Sequence, residues 1–200
     1  MGGLRERIIQ ASLILFEKEG FHGATVNKIV EKAGTSKGGF YHHFASKDEL
    51  LFVIHDTFIT YVLDKAMIAR EAYQTPTDRL RAIVKDFVKV FDLYQAHIAV
   101  FYRETIYLKP EYEIQVKKKR DQFKQIIMDV ICEGKASGAF RSDLSVEITG
   151  MAILGMVNWT YMWYQQSGVK TIDEIAAIFV DLILHAVLSG EQLQDVDYEI

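Results

Sequence analysis

The stretch Thr25-Val26-Asn27-Lys28-Ile29-Val30-Glu31-Lys32-Ala33-Gly34-Thr35-Ser36-Lys37-Gly38-Gly39-Phe40-Tyr41-His42-His43-Phe44-Ala45-Ser46-Lys47 decides the fold. It reads as two short helices joined by a glycine turn, followed by the start of a third. Thr25 can cap the first helix, because its hydroxyl accepts from a backbone N–H that the helix leaves unpaired. Val26, Ile29, Val30 and Ala33 recur at i, i+3, i+4 and i+7, the spacing of one buried face. Gly34 stands where a left-handed residue ends a helix at low cost. Thr35 or Ser36 caps the next helix, and Phe40 and Phe44, four apart, share one of its sides. Ala45 ends it, and Ser46-Lys47-Asp48-Glu49 is a capping-box pattern that opens another.

Gly38 and Gly39 each cost about 1 kcal/mol relative to alanine inside a helix. Close approach to DNA gives that cost a reason. Without side chains there, the helix can sit deep in a major groove while its neighbours reach base edges. The bland alternative is a poorly formed surface turn, but cap, turn, apolar face and basic residue all agree on the first reading. Lys37, Gly38, Tyr41 and His42 lie on the arc beside the apolar strip and remain available to an outside partner.

From about Arg7 to Leu51 the chain closely resembles the DNA-binding domain of the TetR family of bacterial transcriptional regulators. The matching residues are Phe16-Glu17-Lys18-Glu19-Gly20-Phe21, Thr25-Val26, Ala33-Gly34-Thr35-Ser36-Lys37-Gly38, Tyr41-His42-His43-Phe44 and Lys47-Asp48-Glu49-Leu50-Leu51. The resemblance implies an all-α protein: an N-terminal three-helix helix-turn-helix domain, residues 1–48, followed by a helical ligand-binding and dimerisation body, residues 49–200. It also implies that Thr25, Tyr41, His42 and Lys47 contact phosphates, and that Ser36, Lys37, Gly38 and Gly39 face the groove. The chemistry agrees, since hydroxyls, phenols and ammonium groups donate to phosphate oxygens. Lys47 would sit at a helix N-terminus, itself an anion site. Lys37 is the one long side chain among the groove-facing four and could donate to guanine O6 or N7. Phe40 departs from the pattern, where many relatives carry a smaller aliphatic residue, and should pack inside. His43 either touches phosphate or sits against the first helix as a structural histidine; the second is favoured.

Composition bounds the rest. Half of the 200 residues are apolar, enough for a sizeable core, and the two prolines are Pro76 and Pro110. The single cysteine, Cys132, excludes an intramolecular disulfide and suits a reducing cytoplasm. No leader peptide is expected from the first residues, although Gly2-Gly3 reads as a cloning remnant, and no membrane span is expected because Asp181 and His185 interrupt the most apolar late stretch. Net charge is −4, but residues 1–50 hold seven Lys/Arg against six Asp/Glu, while residues 51–200 hold sixteen against twenty-one. Such a balance suits a few well-placed phosphate contacts rather than a broad positive face.

Outward from the motif, the first helix should run from about Leu4 to Glu19, with Leu4, Ile8, Ala11 and Leu15 inward and Gly20 as its stop. The helix from Ser46 meets no breaker until about Tyr73, a length of about 40 Å, and could carry movement between domain and body. Thr75-Pro76 opens a helix to about Tyr94; further helices are expected over Ala96–Leu108, from Pro110 to near Gly138, over Ser145–Gln166 and over Thr171–Leu188. Gly190 to Ile200 reads as a loose polar tail.

Aromatic residues concentrate in this body. Phe87, Phe91, Tyr94, Phe101, Tyr102, Tyr107 and Phe123 could line one cavity with Trp159 and Met162, with Arg103, Glu104 and Asn158 as its polar groups. Ordinary core packing explains any one of these aromatics equally well. Arg103 and Glu104 diverge on a helix and should find different partners. Lys117-Lys118-Lys119-Arg120 is a solvated face or, alternatively, a cationic mouth for a phosphate-bearing ligand. The body loosely resembles TetR-family regulators that respond to acyl-coenzyme A esters.

Ile148, Ala152, Gly155, Trp159 and Met162 on one late helix, with Ile172, Ile175, Phe179, Leu182, Ile183 and Ala186 on the last, form a double apolar stripe that suits a homodimer. Gly150, Ala152 and Gly155 would permit close helix approach. No nucleophile motif, phosphate loop, metal cluster or paired-carboxylate signature is present, so no enzyme, cofactor or metal is expected. The reading is a cytoplasmic, homodimeric repressor of a double-stranded DNA operator, released by an apolar small molecule. The alternatives are a multidrug-responsive repressor, with Glu104 as counter-charge, and a helical interaction module without DNA binding.

Overall fold

The computed structural model describes residues 3–192. They are overwhelmingly helical: α1 Leu4–Gly23, α2 Val26–Ala33, α3 Lys37–His43, α4 Lys47–Ala72, α5 Pro76–Leu93, α6 Gln95–Glu104, α7 Pro110–Ala136, α8 Val146–Asn158, α9 Thr160–Trp163 and α10 Ile172–Val187. A 3-10 turn, Thr105–Tyr107, follows α6. Among the described residues the sole extended pairing is an isolated antiparallel bridge between Phe140 and Leu188. Most of the late tail lies outside the described residues.

The chain divides into two compact units. The first takes in Met1–Thr60 and Tyr94–Lys118, the second Tyr61–Leu93 and Lys119–Ile200. Both α4 and α7 therefore contribute one part to each.

In the first unit α1 packs on α2, α3 and α6. Ile8, Phe16, Phe21, Ile29, Phe40, Phe44, Leu50 and Leu51 are buried in it. Gly20 stops the first run of α1 as expected: its φ of +72° and ψ of 169° are non-helical, a conformation that a side chain would resist, and a separate short turn follows to Gly23.

In the second unit α10 lies along α5, and α8 and α9 also touch α5. Thr171 and Glu174 form the reciprocal capping box that the sequence indicates, Glu174 N–H donating to Thr171 Oγ1 at 3.3 Å and Thr171 N–H to Glu174 Oε2 at 2.7 Å. The expected continuous helix over residues 145–166 is instead two pieces, α8 and the single turn α9, which meet at Trp159. No sequence breaker marks this site, which is why periodicity runs straight through it.

The apolar stripe on α10 also divides. Ile175 and Ile183 are buried in the unit, whereas Ile178 and Leu182 face outward. On α8, Ile153 and Val157 are buried, while Ile148 and Met151, and Trp159 just beyond its end, are exposed. Gly150 is small for an internal reason: a Cβ there would press on Met128 Cγ at 3.3 Å, whereas at Gly155 it would meet nothing.

Candidate nucleic-acid interface

The helix-turn-helix is held by short-range devices. Thr25 Oγ1 accepts from Lys28 N–H at 3.3 Å, and Ser36, not Thr35, caps α3 by accepting from Gly39 N–H at 3.1 Å. Gly34 adopts the left-handed conformation, with Thr35 N–H donating to the Val30 carbonyl and Gly34 N–H to that of Glu31, a paired C-terminal cap. Phe40 and Phe44 pack inside with ring centroids 5.7 Å apart. That anchoring turns the rest of α3 outward: Lys37, Gly38 and His42 are exposed, and Tyr41 is 54% exposed although tyrosine has ample apolar surface to hide. Thr25 and Ser36 are exposed as well. His43, half-buried, lies between the rings of His42 and Phe44.

The two glycines separate. A Cβ at Gly39 would make the Thr35 hydroxyl, the tip of a half-buried side chain, turn aside, and would touch Leu4 Cδ2 at 3.4 Å. At Gly38 a Cβ would meet only Ser36 Oγ, at an ordinary 3.6 Å. Nothing within the protein requires glycine at 38, and its helix cost of about 1 kcal/mol is left for something outside the chain to explain.

Lys47, the first residue of α4, turns inward. Its ammonium donates to the Phe21 carbonyl at 2.6 Å and the Ala24 carbonyl at 3.0 Å, and lies 4.3 Å from the centre of the Phe21 ring. Partial burial holds its pKa below the ordinary lysine value. The charge thus sits one residue from Thr25, tying the end of α1 to the start of α4. The capping box at Ser46 is only half reciprocal: Glu49 N–H donates to Ser46 Oγ, but the Glu49 carboxylate accepts from Ala45 rather than Ser46.

The expected ligand residues fall in both units. In the first, Phe101 packs between the rings of Phe58 and Tyr102. Arg103 and Glu104 do find different partners. Arg103 Nη1 donates to the Glu17 carbonyl at 2.6 Å, and Glu104, 3% exposed, accepts from Phe21 N–H at 3.2 Å. Tyr107 stacks on Phe21 and meets His22 edge to face. These residues therefore grip the end of α1 beside the break at Gly20.

In the second unit Phe87 packs against Phe91 and Phe123, all buried. Asn158 ends α8, half-buried, but Trp159 is 60% exposed and Met162 is exposed too. Of the basic run, Lys117, Lys118 and Arg120 are exposed, and Cys132 is an exposed free thiol.

Two features escaped sequence reasoning. One is an open notch of about 430 Å³ in the second unit, lined by Trp163, Val169, Lys170, Ile175, Ile178 and Phe179 among others. None of the residues expected to bind ligand lines it. The other is His55 on α4, fully buried, with both ring nitrogens lacking a partner. Among the described residues no three His, Cys, Asp or Glu side chains gather as a metal site would require, and no helix is long and apolar enough to cross a membrane.

Comparison with known proteins adds the lineage. Residues 8–54 match the family model for bacterial regulatory proteins of the tetR family, and residues 73–187 match that of the tetracyclin repressor-like C-terminal domain. The HTH-type transcriptional repressor KstR2 of Rhodococcus jostii is 26% identical over 191 residues, spanning 94% of this chain and 92% of that one. The solved structure of the ketosteroid transcriptional regulator KstR2 of Mycobacterium tuberculosis has a TM-score of 0.84 at 21% identity, covering 95% of this chain and 97% of the other. The structure of AibR in complex with isovaleryl coenzyme A and operator DNA has a TM-score of 0.76 at 20% identity, covering 90% and 97%. With a helix-turn-helix at its N-terminal end and family models matched on both sides of residue 60, the chain belongs to the TetR family of bacterial transcriptional regulators and is not an enzyme.

Proposed function

We propose that the protein is a cytoplasmic homodimeric repressor that leaves its operator when an apolar small molecule binds. The observation that carries the DNA half is α3 itself: Phe40 and Phe44 anchor it, while Lys37, Tyr41 and a glycine with no internal reason to be one face outward. In this reading Ser36, Lys37, Gly38 and Gly39 meet the groove, and Thr25, Tyr41 and His42 meet phosphates. Lys47 adds its charge beside Thr25 while bracing the turn on which Thr25 sits. Residues 1–48 do the DNA work, and residues 49–200 bind ligand and dimerise.

Dimerisation is supported by the outward apolar face of α8 and α10, where Ile148 is 70% exposed, Trp159 60% and Leu182 53%. Large apolar side chains left facing solvent on helices of the same unit support an association surface. A two-fold dimer would set two copies of α3 about one helical turn, ~34–36 Å, apart on DNA.

The residues proposed to meet the effector stand as two sets, each within its own unit: Phe101, Tyr102 and Tyr107 in the first, and Phe87, Phe91, Phe123, Asn158, Trp159 and Met162 in the second. An acyl-coenzyme A ester is the sharper choice, since the AibR structure holds isovaleryl coenzyme A and Lys117 and Lys118 are exposed cations suited to phosphates. Arg103 would have to release the Glu17 carbonyl to join them. Glu104, already committed to Phe21 N–H, speaks against the drug-responsive alternative that would use it as counter-charge.

A gel shift tests the whole reading. The protein should retard its own upstream DNA more strongly than random duplexes, and lauroyl-coenzyme A should reverse this more effectively than dodecanoic acid. Equal retardation of all duplexes, or no retardation, sinks the DNA half; indifference to both lipids sinks the acyl-ester half.

A further inference from the structure

In the first unit α4 runs Leu50-Leu51-Phe52-Val53-Ile54-His55, and its apolar side places His55 in the core. The imidazole stands edge to face with Phe101, ring centroids 5.0 Å apart. Phe101 is flanked by Phe58 at 5.0 Å and by the exposed Tyr102 at 5.3 Å. Leu51 and Ile59, one helical turn before and after, are buried too. Aromatic and aliphatic neighbours of this kind would accommodate a leucine or phenylalanine at no polar cost.

The chain places a histidine there instead. A neutral imidazole carries one N–H donor and one lone-pair acceptor. Among the described residues neither nitrogen of His55 finds a partner, and neither reaches solvent. Buried polar side-chain atoms nearly always have a partner, and leaving one without is costly. Ionisation offers no escape, because burial pushes the pKa down to about 4 and the ring stays neutral at pH 7.

We propose that His55 is the polar contact of the effector and takes a hydroxyl or carbonyl oxygen on an uncharged, otherwise apolar part of it. The proposal rests on the reading of the chain as an effector-responsive repressor and narrows it to a chemical class. A carbonyl oxygen accepts the imidazole N–H; a hydroxyl does the same or donates to the bare nitrogen. A carboxylate is the wrong group, since a neutral ring in an apolar cluster does not repay the desolvation of a full charge. An acyl thioester therefore fits at this point and the free acid does not. Side-chain rotation, ordinary on binding, opens the path, with Tyr102 already linking the ring cluster to solvent.

The test compares full-length wild-type protein with His55→Leu, which removes both nitrogens and keeps apolar bulk, and with His55→Gln, which restores a donor and an acceptor. The probes are 2-naphthol against 2-methylnaphthalene, matched in size and differing in the hydroxyl, and lauroyl-coenzyme A against dodecanoic acid. Ligand-free H55L should melt at a higher temperature than wild type, because two unmet polar groups are gone. It should bind the oxygen-bearing neutral probe about tenfold or more weakly and 2-methylnaphthalene unchanged, with H55Q in between. A lower melting temperature for ligand-free H55L overturns the proposal, since the nitrogens are then satisfied within the fold. So does a wild type that binds no probe more tightly than H55L does. Failure of the repressor reading looks different: no probe changes DNA retention by wild type, whatever the melting curves show.

Discussion

On α2 and α3 the outward side chains are polar, and the helices are fixed by groups within a few residues of one another: Thr25 on Lys28, Ser36 on Gly39, Gly34 in its left-handed turn. On α8 and α10 the outward side chains are apolar, and the helices are fixed by distant partners, chiefly the packing of α10 along α5. The first surface is complete without a protein partner, since lysine, tyrosine and histidine are content in water until a phosphate or base edge replaces it. The second is not, because exposed Ile148, Trp159 and Leu182 forgo part of the about 1.5–3 kcal/mol that full burial of a large apolar side chain gives. The contrast is what supports the proposal that α3 meets DNA and that α8 and α10 meet a second copy of the chain.

The harshest way to break the contrast is to charge the apolar face. The pair Trp159→Glu and Leu182→Glu should leave helicity intact, give a monomer by light scattering, and lower operator affinity by about 100-fold or more. A charged variant that stays dimeric would remove α8 and α10 from the interface.

The two sides of α10 offer the next test. Ile183→Ala, on the buried side, should lower unfolding free energy by about 2–4 kcal/mol in urea titrations. Leu182→Ala, its outward neighbour, should instead make the dimer dissociate at higher concentration. Equal losses of monomer stability would mean that both sides face the core.

On the reading head, Lys37→Ala should cost about 1–3 kcal/mol of affinity for the operator and little for random DNA. Lys47→Ala should weaken every duplex alike and also lower the melting temperature, because the Phe21 and Ala24 carbonyls lose their cap. Unchanged thermal stability would show that the inward contacts of Lys47 matter little.

The smallest effect is the sharpest. Gly38→Ala should raise folded stability by up to about 1 kcal/mol while weakening operator binding, whereas at Gly39→Ala the turning aside of Thr35 should offset part of the same gain. Should Gly38→Ala bind the operator as wild type does, its glycine has no role at the DNA.

The helix-turn-helix was legible residue by residue, because caps, turns and i, i+4 pairs act within reach of neighbours in the chain. The stop at Gly20 was legible too, whereas the interruption at Trp159, where the backbone dihedrals stay helical, carries no marker in the sequence. Gly38 and Gly39 look alike in sequence, and only the structure shows that a Cβ would disturb Thr35 at Gly39 but nothing at Gly38. The pattern put Arg103 and Glu104 in a pocket; tertiary structure gave them the Glu17 carbonyl and the Phe21 N–H. His55 carried a faint signal, a lone polar residue in an apolar run.

By itself the sequence determined an all-α chain, its family, and the outward set on α3, because period and capping are short-range properties. Only tertiary structure decided which half of each apolar stripe is core and which is surface, and which buried polar groups go unmet. Those outcomes depend on side chains far apart in the chain, and an apolar residue looks the same in sequence whether its neighbour is α5 or water.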